Sequence, residues 1–233
     1  MPESYVPLSF LIFVAVTLAI AELIVPARAA ARGRWPYNLG LGLVGFLIGI
    51  GASAILSLSG AVWAEAHRVG LFHWAELPPL VAVPLAIVLL DLAIYWQHRW
   101  LHSIPLLWPL HRLHHRDEAM DISTGVRFHP GEILVSALYK LGVVIALGAP
   151  PLAIAIFQVL LTAASLWEHA NVRIPPAIDG RLRHVIVTPA MHLIHHGRDG
   201  GDMRTNYGFS TSLWDRLFAS YREQPTSDRL GAE

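Results

Sequence analysis

The chain has 233 residues, of which 54% are hydrophobic and only 15% are charged, and its mean hydropathy is +0.48. This composition excludes an ordinary soluble domain and predicts an integral membrane protein. The chain has no cysteine and a formal net charge of +0, which excludes iron–sulfur clusters, cysteine zinc sites, thiolate-ligated haem and disulfides, and gives no overall attraction to nucleic acid.

Five apolar runs follow one another along the chain. They are Leu8–Val25, Leu39–Leu58, Leu80–Trp96, Ile133–Leu147 and Leu152–Trp167. The first three approach the ~20 residues that a helix needs to cross the hydrocarbon core. The last two are shorter and are separated by residues 148–151, Gly-Ala-Pro-Pro, which indicate a turn. We therefore predict an all-α, integral membrane helical bundle of about four spans, or three spans plus a helical hairpin.

The first run could instead be a signal peptide, but the residues before it, Pro2, Glu3 and Ser4, provide no basic segment. The loop after it contains Arg28, Arg32 and Arg34, whereas the next loop is mixed in charge. The positive-inside rule places the arginine-rich loop in the cytoplasm and the N-terminus outside. If residues 133–168 form a hairpin, the segments before and after it share the cytoplasmic side and form a histidine-rich helical cap there.

This organisation divides the chain into three parts. Residues 1–97 contain transmembrane helices and the basic first loop, and residues 98–221 form a histidine-rich region that includes the hairpin 133–168. Residues 222–233 are polar and are predicted to be a disordered tail.

Three histidine clusters have spacings that place imidazoles on one side of a helix. They are His98 and His102, then His111, His114 and His115, and finally His192, His195 and His196. Residues three and four apart are neighbours on a helix surface, so each cluster presents its ring nitrogens together. Imidazole suits iron, zinc or copper. Eight imidazoles exceed the ligands that one zinc ion takes, so the spacing predicts two metal ions.

Further residues are candidate metal ligands, or candidates to orient the ligands, because of their position alone. His129 and His169 flank the hairpin and are candidate ligands, although single histidines also make structural hydrogen bonds. Asp91, Glu132, Glu168 and Asn171 are candidates to orient the histidines through their second ring nitrogen, or are merely polar residues at the membrane interface. His67 and His73 fall in the predicted outer loop, and His184 has no partner at helical spacing. The side chain of Lys140 either extends to the interface or faces protein.

The order and spacing of these motifs resemble the fatty acid hydroxylase superfamily, also called the sterol desaturase family. The resemblance runs from about Asp91 to Tyr221 and rests on six motifs: HRWLH, LHRLHH, RFHPGE, EHANVRIP, TPAMHLIHH and NYGFSTSLWDRLF. It implies an integral membrane oxygenase with two iron ions that uses O2 and external electrons to hydroxylate or desaturate a lipid such as a sterol or a fatty acyl chain. It also implies that the eight clustered histidines bind iron, with His129 and His169 matching further family histidines.

The source of electrons is not visible in the sequence. The run His129–Glu132 is similar to the haem-binding HPGG of cytochrome b5 domains, but no polar domain surrounds it, and no GxGxxG motif for a nucleotide is present. We therefore expect an external reductase with a ferredoxin or a cytochrome as partner. The membrane would be the bacterial inner membrane, or the endoplasmic reticulum in a eukaryote.

Two other classes of protein remain open at this stage. One is a membrane zinc metallohydrolase, although no HExxH motif is present. The other is a non-enzymatic membrane protein that binds metal or haem.

Overall fold

A computed structural model describes residues 6–47, 51–227 and 229–232. Its described part is helical throughout, without a strand. The helices are α1 Val6–Ile24, α2 Trp35–Gly45, α3 Gly51–His67, α4 Leu71–Trp74, α5 Pro79–Ser103, α6 Trp108–His115, α7 Pro130–Leu147, α8 Pro151–His169, α9 Pro176–Leu182, α10 Pro189–His195 and α11 Leu213–Leu217. The all-α membrane fold predicted from composition is confirmed.

Among the described residues, α5, α7 and α8 are long and apolar enough to cross a membrane. Each begins with a proline, whose fixed φ angle and missing N–H suit the first position of a helix. Large apolar side chains such as Leu80, Leu138 and Leu152 point outward and are exposed, which is the arrangement that a lipid environment requires. The apolar part of α1, Leu8–Ile24, is shorter.

The second apolar run, Leu39–Leu58, is described in two parts. α2 ends at Gly45, α3 begins at Gly51, and residues 48–50 lie outside the described part of the chain. A membrane span formed by this run therefore stays a prediction.

The predicted hairpin is confirmed as α7 and α8 joined at Gly148. Gly148 has a left-handed φ of 63°, and a Cβ atom there would lie 2.6 Å from the carbonyl oxygen of Val69. Only glycine fits this close backbone approach without strain. The turn therefore also holds the loop before α4 against the end of the hairpin.

Small side chains allow α3, α5 and α8 to pack closely around one core. Ala61, Ala86 and Ala153 are completely buried there, next to Ile154 and Phe157. Small residues at helix contacts are the usual means by which membrane helices approach one another. The core fixes the ends of α5 and α8 side by side, which positions the histidines described below.

The arginine-rich first loop lies at the same end of the bundle as the last turn of α8. The backbone of Arg173 donates to the carbonyl of Val25, and Asn171 bonds with the backbone of Arg28. Arg34 also pairs with Asp117 and Asp121, close after α6. The loop and the histidine-rich segments therefore share one side, as predicted.

The described tail residues are bound to the body of the protein. Asp202 accepts hydrogen bonds from Arg222 and from Thr226, and the backbone N–H of Ala232 donates to the carbonyl of His115 over 2.8 Å. For residues 222–227 and 229–232 these contacts correct the expectation of disorder, because partners distant in sequence satisfy the polar groups of the tail. The boundaries at residues 98 and 222 stay a prediction.

Candidate metal centre

Nine buried histidines converge where four helical segments meet. His98 and His102 lie in the last two turns of α5, and α6 provides the next three. His169 is the last residue of α8, and α10 with the residue after it provides His192, His195 and His196. Every clustered histidine predicted from the sequence is present, and His169 joins them.

The nine histidines form two groups, each with one ring nitrogen per residue within 4.8 Å of the others. Group one contains His98, His102, His111, His115 and His195, and group two contains His114, His169, His192 and His196. The two triplets are therefore shared between the groups. In each triplet the two histidines four residues apart belong to the same group, and the remaining histidine, His114 or His195, belongs to the other group. The reason is that adjacent residues of a helix point ~100° apart.

The distances between ring nitrogens suit ligands of a common ion. The Nε2 atom of His98 lies 3.1 Å from that of His111 and 3.0 Å from that of His195. In group two the Nε2 atom of His169 lies 3.0 Å from that of His114 and 3.1 Å from that of His192. Imidazoles bind zinc at ~2.0–2.1 Å, and two such ligands at right angles lie ~3 Å apart. Each group therefore has the spacing of ligands around one metal ion.

Backbone carbonyls accept hydrogen bonds from four of the rings on the side away from Nε2. The Nδ1 atoms of His98, His114, His169 and His195 lie 2.6–3.2 Å from the carbonyl oxygens of Tyr207, Arg127, Ser165 and Thr205 respectively. A carbonyl can only accept, so these contacts place the proton on Nδ1. Nε2 is then left unprotonated and directed into its group, as a metal ligand requires.

Several ring nitrogens have no hydrogen-bond partner among the described residues although they are buried. Both nitrogens of His115 and His196, and Nε2 of His102, are in this position. A buried polar atom without a partner costs free energy, typically ~1–3 kcal/mol. A bound ion would satisfy one nitrogen of each ring, so the donor set fits two metal ions held by nitrogen.

Burial keeps these rings neutral. It lowers the pKa of His114, His115, His192, His195 and His196 well below the ordinary value of 6.5, and the charge of neighbouring histidines lowers it further. Neutral imidazole is the form that binds a metal ion. At pH 7 these histidines are therefore ready for binding without the loss of a proton.

Two of the four predicted orienting residues lie against the histidines. Glu132 accepts a hydrogen bond of 2.8 Å from Nδ1 of His111. Glu168 is completely buried, with its oxygens 3.8 Å from Nδ1 of His169 and 3.7 Å from Nδ1 of His192. Those distances are too long for hydrogen bonds. Glu168 thus places its carboxyl group between two group-two rings.

The structure places three other candidates away from the histidine groups. His129 accepts from the N–H of Gly131 and caps α7, and it belongs to neither group. Asp91 accepts a hydrogen bond of 2.7 Å from the indole of Trp214, and Asn171 holds the first loop. These placements correct the proposed orienting roles of Asp91 and Asn171, because their side chains are used by packing partners distant in the sequence.

Asp215 supports the site in a way that the sequence did not reveal. Its carboxylate accepts from the backbone N–H groups of Tyr207 and Gly208 over 2.7 and 2.9 Å, and from the hydroxyl of Ser220. This holds in place the carbonyl of Tyr207 that faces His98. The only signal in the sequence is that Asp215 lies within the last of the six motifs.

A cavity of about 200 Å³ adjoins group one. His98, His111 and Glu132 form one end, and side chains of α5, α7 and α8 form its walls, mostly apolar ones such as Ile94 and Leu161. The volume is more than ten times what one water molecule requires. The cavity is large enough for a small apolar part of a ligand, which would lie next to the ion that group one could hold.

The fold and these groups define a helical membrane protein with two buried histidine groups that could each hold a metal ion. The model of the family described as fatty acid hydroxylase matches residues 83–220, more than half of the chain. The chain therefore belongs to the fatty acid hydroxylase family, as its motifs indicated. The matched segment contains all nine histidines of the two groups.

Characterised relatives within this family differ in their named activities. The chain is 31% identical to an alkylglycerol monooxygenase of Danio rerio over 68% of its own length and 34% of that protein. It is 29% identical to an ornithine lipid hydroxylase of Rhizobium tropici over 65% of its length and 45% of the relative. It is 31% identical to a Delta(7)-sterol 5(6)-desaturase of Candida dubliniensis over 62% and 35%. The chain thus spans less than half the length of these relatives, and no solved structure matches it.

Proposed function

We propose that this protein is a membrane-bound di-iron oxygenase that uses O2 and external electrons to hydroxylate, or desaturate, a C–H bond of a lipid. The observation that supports this most strongly is the pair of adjacent histidine groups, one of five and one of four buried imidazoles. The named relatives act by monooxygenation, hydroxylation or desaturation. A sterol or a fatty acyl chain is the substrate class that fits an opening within membrane helices.

Iron is the metal that the proposal requires. Zinc has no redox chemistry, and activation of O2 against an unreactive C–H bond needs a redox metal. When bound, the irons supply the reduction of O2 and the oxidation of the C–H bond. The protein fixes the ligands through the carbonyls and Glu132, and it excludes water with the apolar walls of the cavity.

We propose that the substrate binds beside group one, because the cavity adjoins that group. Leu101, Ile133 and Phe209 line the cavity next to His98 and His111, and we propose that they place one C–H bond of the lipid close to this metal position. None of the group-two histidines lines the cavity, and group two receives no substrate in this proposal. Its proposed role is to complete the two-ion centre.

The centre is proposed to face the cytoplasm, where an external electron donor reaches it. A hollow of about 980 Å³ lies beside the histidine-rich segments. Its lining includes six arginines: Arg28, Arg34, Arg116, Arg127, Arg198 and Arg229. The positive-inside rule supports a cytoplasmic side for such a region, and its charge suits an acidic ferredoxin or cytochrome.

Metal content tests the proposal. Wild-type protein, His114→Ala from group two and His195→Ala from group one are purified in detergent and analysed for metals. We expect two irons per chain in wild type and loss of iron in both variants, and we expect His184→Ala to retain the wild-type content because His184 is exposed and in neither group. One zinc per chain would favour the metallohydrolase, a Soret band would favour a haem protein, and metal retained in both variants would refute the assigned ligands.

Turnover provides the second test. Reduced protein is incubated with a panel of lipids and isotopically labelled O2, and the products are analysed by mass spectrometry. A hydroxylase transfers one labelled oxygen atom into its product, with the other atom reduced to water by two electrons and two protons. A desaturase forms an alkene without label, so the same experiment separates the two reactions.

A further inference from the structure

Lys140 is the only lysine of the chain, and it lies within a membrane-spanning helix. Its side chain lines the cavity beside group one, and none of the described residues forms a hydrogen bond or an ion pair with it. An amine at this depth is costly unless it finds a polar partner. The amine of Lys140 is therefore available to a ligand that enters the cavity.

Polar side chains continue from the histidines to Lys140 along both walls of the cavity. On α7, Glu132, Ser136 and Lys140 recur every four residues and so share one face of the helix. The helix α8 runs in the opposite direction to α7. Ser165 lies near its end, beside the histidines, and Gln158 lies seven residues earlier, towards the Lys140 end of the cavity. The cavity is thus polar at two ends, the histidine end and the Lys140 end.

Each of these polar side chains at the metal end of the cavity has at least one protein partner, whereas those at the far end have none among the described residues. Glu132 bonds with His111, Ser136 accepts from Gln97, and Ser165 donates to the carbonyl of Gly125. The side chain of Gln158, like that of Lys140, has no such partner among the described residues. Two unpaired donors at the same end indicate a ligand with an acceptor oxygen.

We infer that Lys140 and Gln158 bind the acceptor oxygen of the lipid substrate, a carboxylate or a carbonyl group, while a carbon further along its chain lies at His98 and His111. This inference rests on the proposed function and adds the substrate class and the reacting position. Glu132 and Lys140 are eight positions apart, which corresponds to ~12 Å of helix. The oxidised carbon is therefore remote from the oxygen-bearing group rather than next to it.

Equilibrium binding of three probes with equal chain length tests the inference without turnover. Radiolabelled palmitate, methyl palmitate and hexadecane provide a carboxylate, a neutral carbonyl and no oxygen. Wild-type protein is expected to bind palmitate, methyl palmitate or both at least ~10-fold more tightly than hexadecane. Preference for palmitate over its ester assigns a carboxylate, and equal binding of the two assigns a carbonyl.

The variant Lys140→Met keeps the length of the side chain and removes its amine. In this variant we expect the affinity for palmitate and methyl palmitate to fall to within about twofold of the affinity for hexadecane. The metal content should be unchanged, because Lys140 belongs to neither histidine group. Tyr139→Phe is the matched control, since Tyr139 is the neighbouring residue on α7 and its hydroxyl donates to the carbonyl of Ala93 outside the cavity. The control should keep the preference of the wild type.

Two results would overturn the inference: equal binding of palmitate, methyl palmitate and hexadecane by wild type, or a preference that survives in Lys140→Met. A failure of the proposed function is recognised separately, because it appears as missing iron or missing turnover and leaves the ratios of probe binding unaffected.

Discussion

The hydrogen bond between Glu132 and His111 allows one of the two proposed ions to be weakened selectively. Glu132→Gln keeps the size of the side chain and an oxygen that can accept from Nδ1 of His111, but it removes the negative charge. The bond is 2.8 Å long and the carboxylate is 6% exposed, so water does not screen the charge. The variant should therefore affect group one through the donor strength of His111.

The expected magnitude follows from the two kinds of hydrogen bond. A bond to a charged group contributes ~1.5–3 kcal/mol and a neutral one ~0.5–1.5 kcal/mol, a difference of ~1–1.5 kcal/mol. This corresponds to roughly a tenfold loss of affinity for the ion. It lies at the lower end of the ~10–100-fold range for residues that orient metal-binding histidines.

Titration of the iron-loaded protein with a chelator measures this effect. In Glu132→Gln one of the two irons should be removed at a ~10-fold lower free chelator concentration than in wild type. The chelator concentration that removes the second iron should change less than twofold, because Glu132 bonds with His111 of group one. Glu118→Gln, an exposed glutamate away from the histidine groups, serves as control. The reasoning would be refuted if both irons shifted equally, or if neither shifted.

Three further substitutions test the scaffold. Gly148→Val should lower the unfolding temperature in detergent, since a left-handed residue with a side chain costs ~1–2 kcal/mol before the clash with backbone is added, whereas Gly142→Val meets open space and should not. His129→Ala should retain wild-type iron and lose ~1 kcal/mol of stability with its helix cap; loss of iron would restore His129 as a ligand. Asp202→Asn removes the ion pair with Arg222, and faster proteolytic cleavage of the tail is expected in limited digestion, while an unchanged rate would show that the tail is held by other contacts.

The sequence by itself determined the membrane class, the hairpin and eight of the nine converging histidines. These features follow from local rules. Apolar runs indicate a lipid environment, and residues 148–151 indicate a turn. Spacings of three and four residues place side chains on one side of a helix. His169 was also predicted, but only from its position at the end of the hairpin.

Only the tertiary structure decided how the histidines are shared. His114 and His115 are adjacent in sequence, yet they belong to different groups, because the ~100° turn between them directs one towards α8 and the other towards α5. Which neighbour lies on each side depends on the packing of α5, α8 and α10, and spacing within α6 contains no information about that packing.

The partners of the single polar residues were decided in the same way. Asp91 was a candidate to orient one of the histidines, but it bonds with Trp214, 123 residues away in the sequence. Four of the nine rings are held by backbone carbonyls, and every residue has a carbonyl, so no residue type marks these positions. Hydrogen bonds between distant segments form only where the fold brings their atoms together, and for that reason the sequence specified the candidate ligands but not the contacts that orient them.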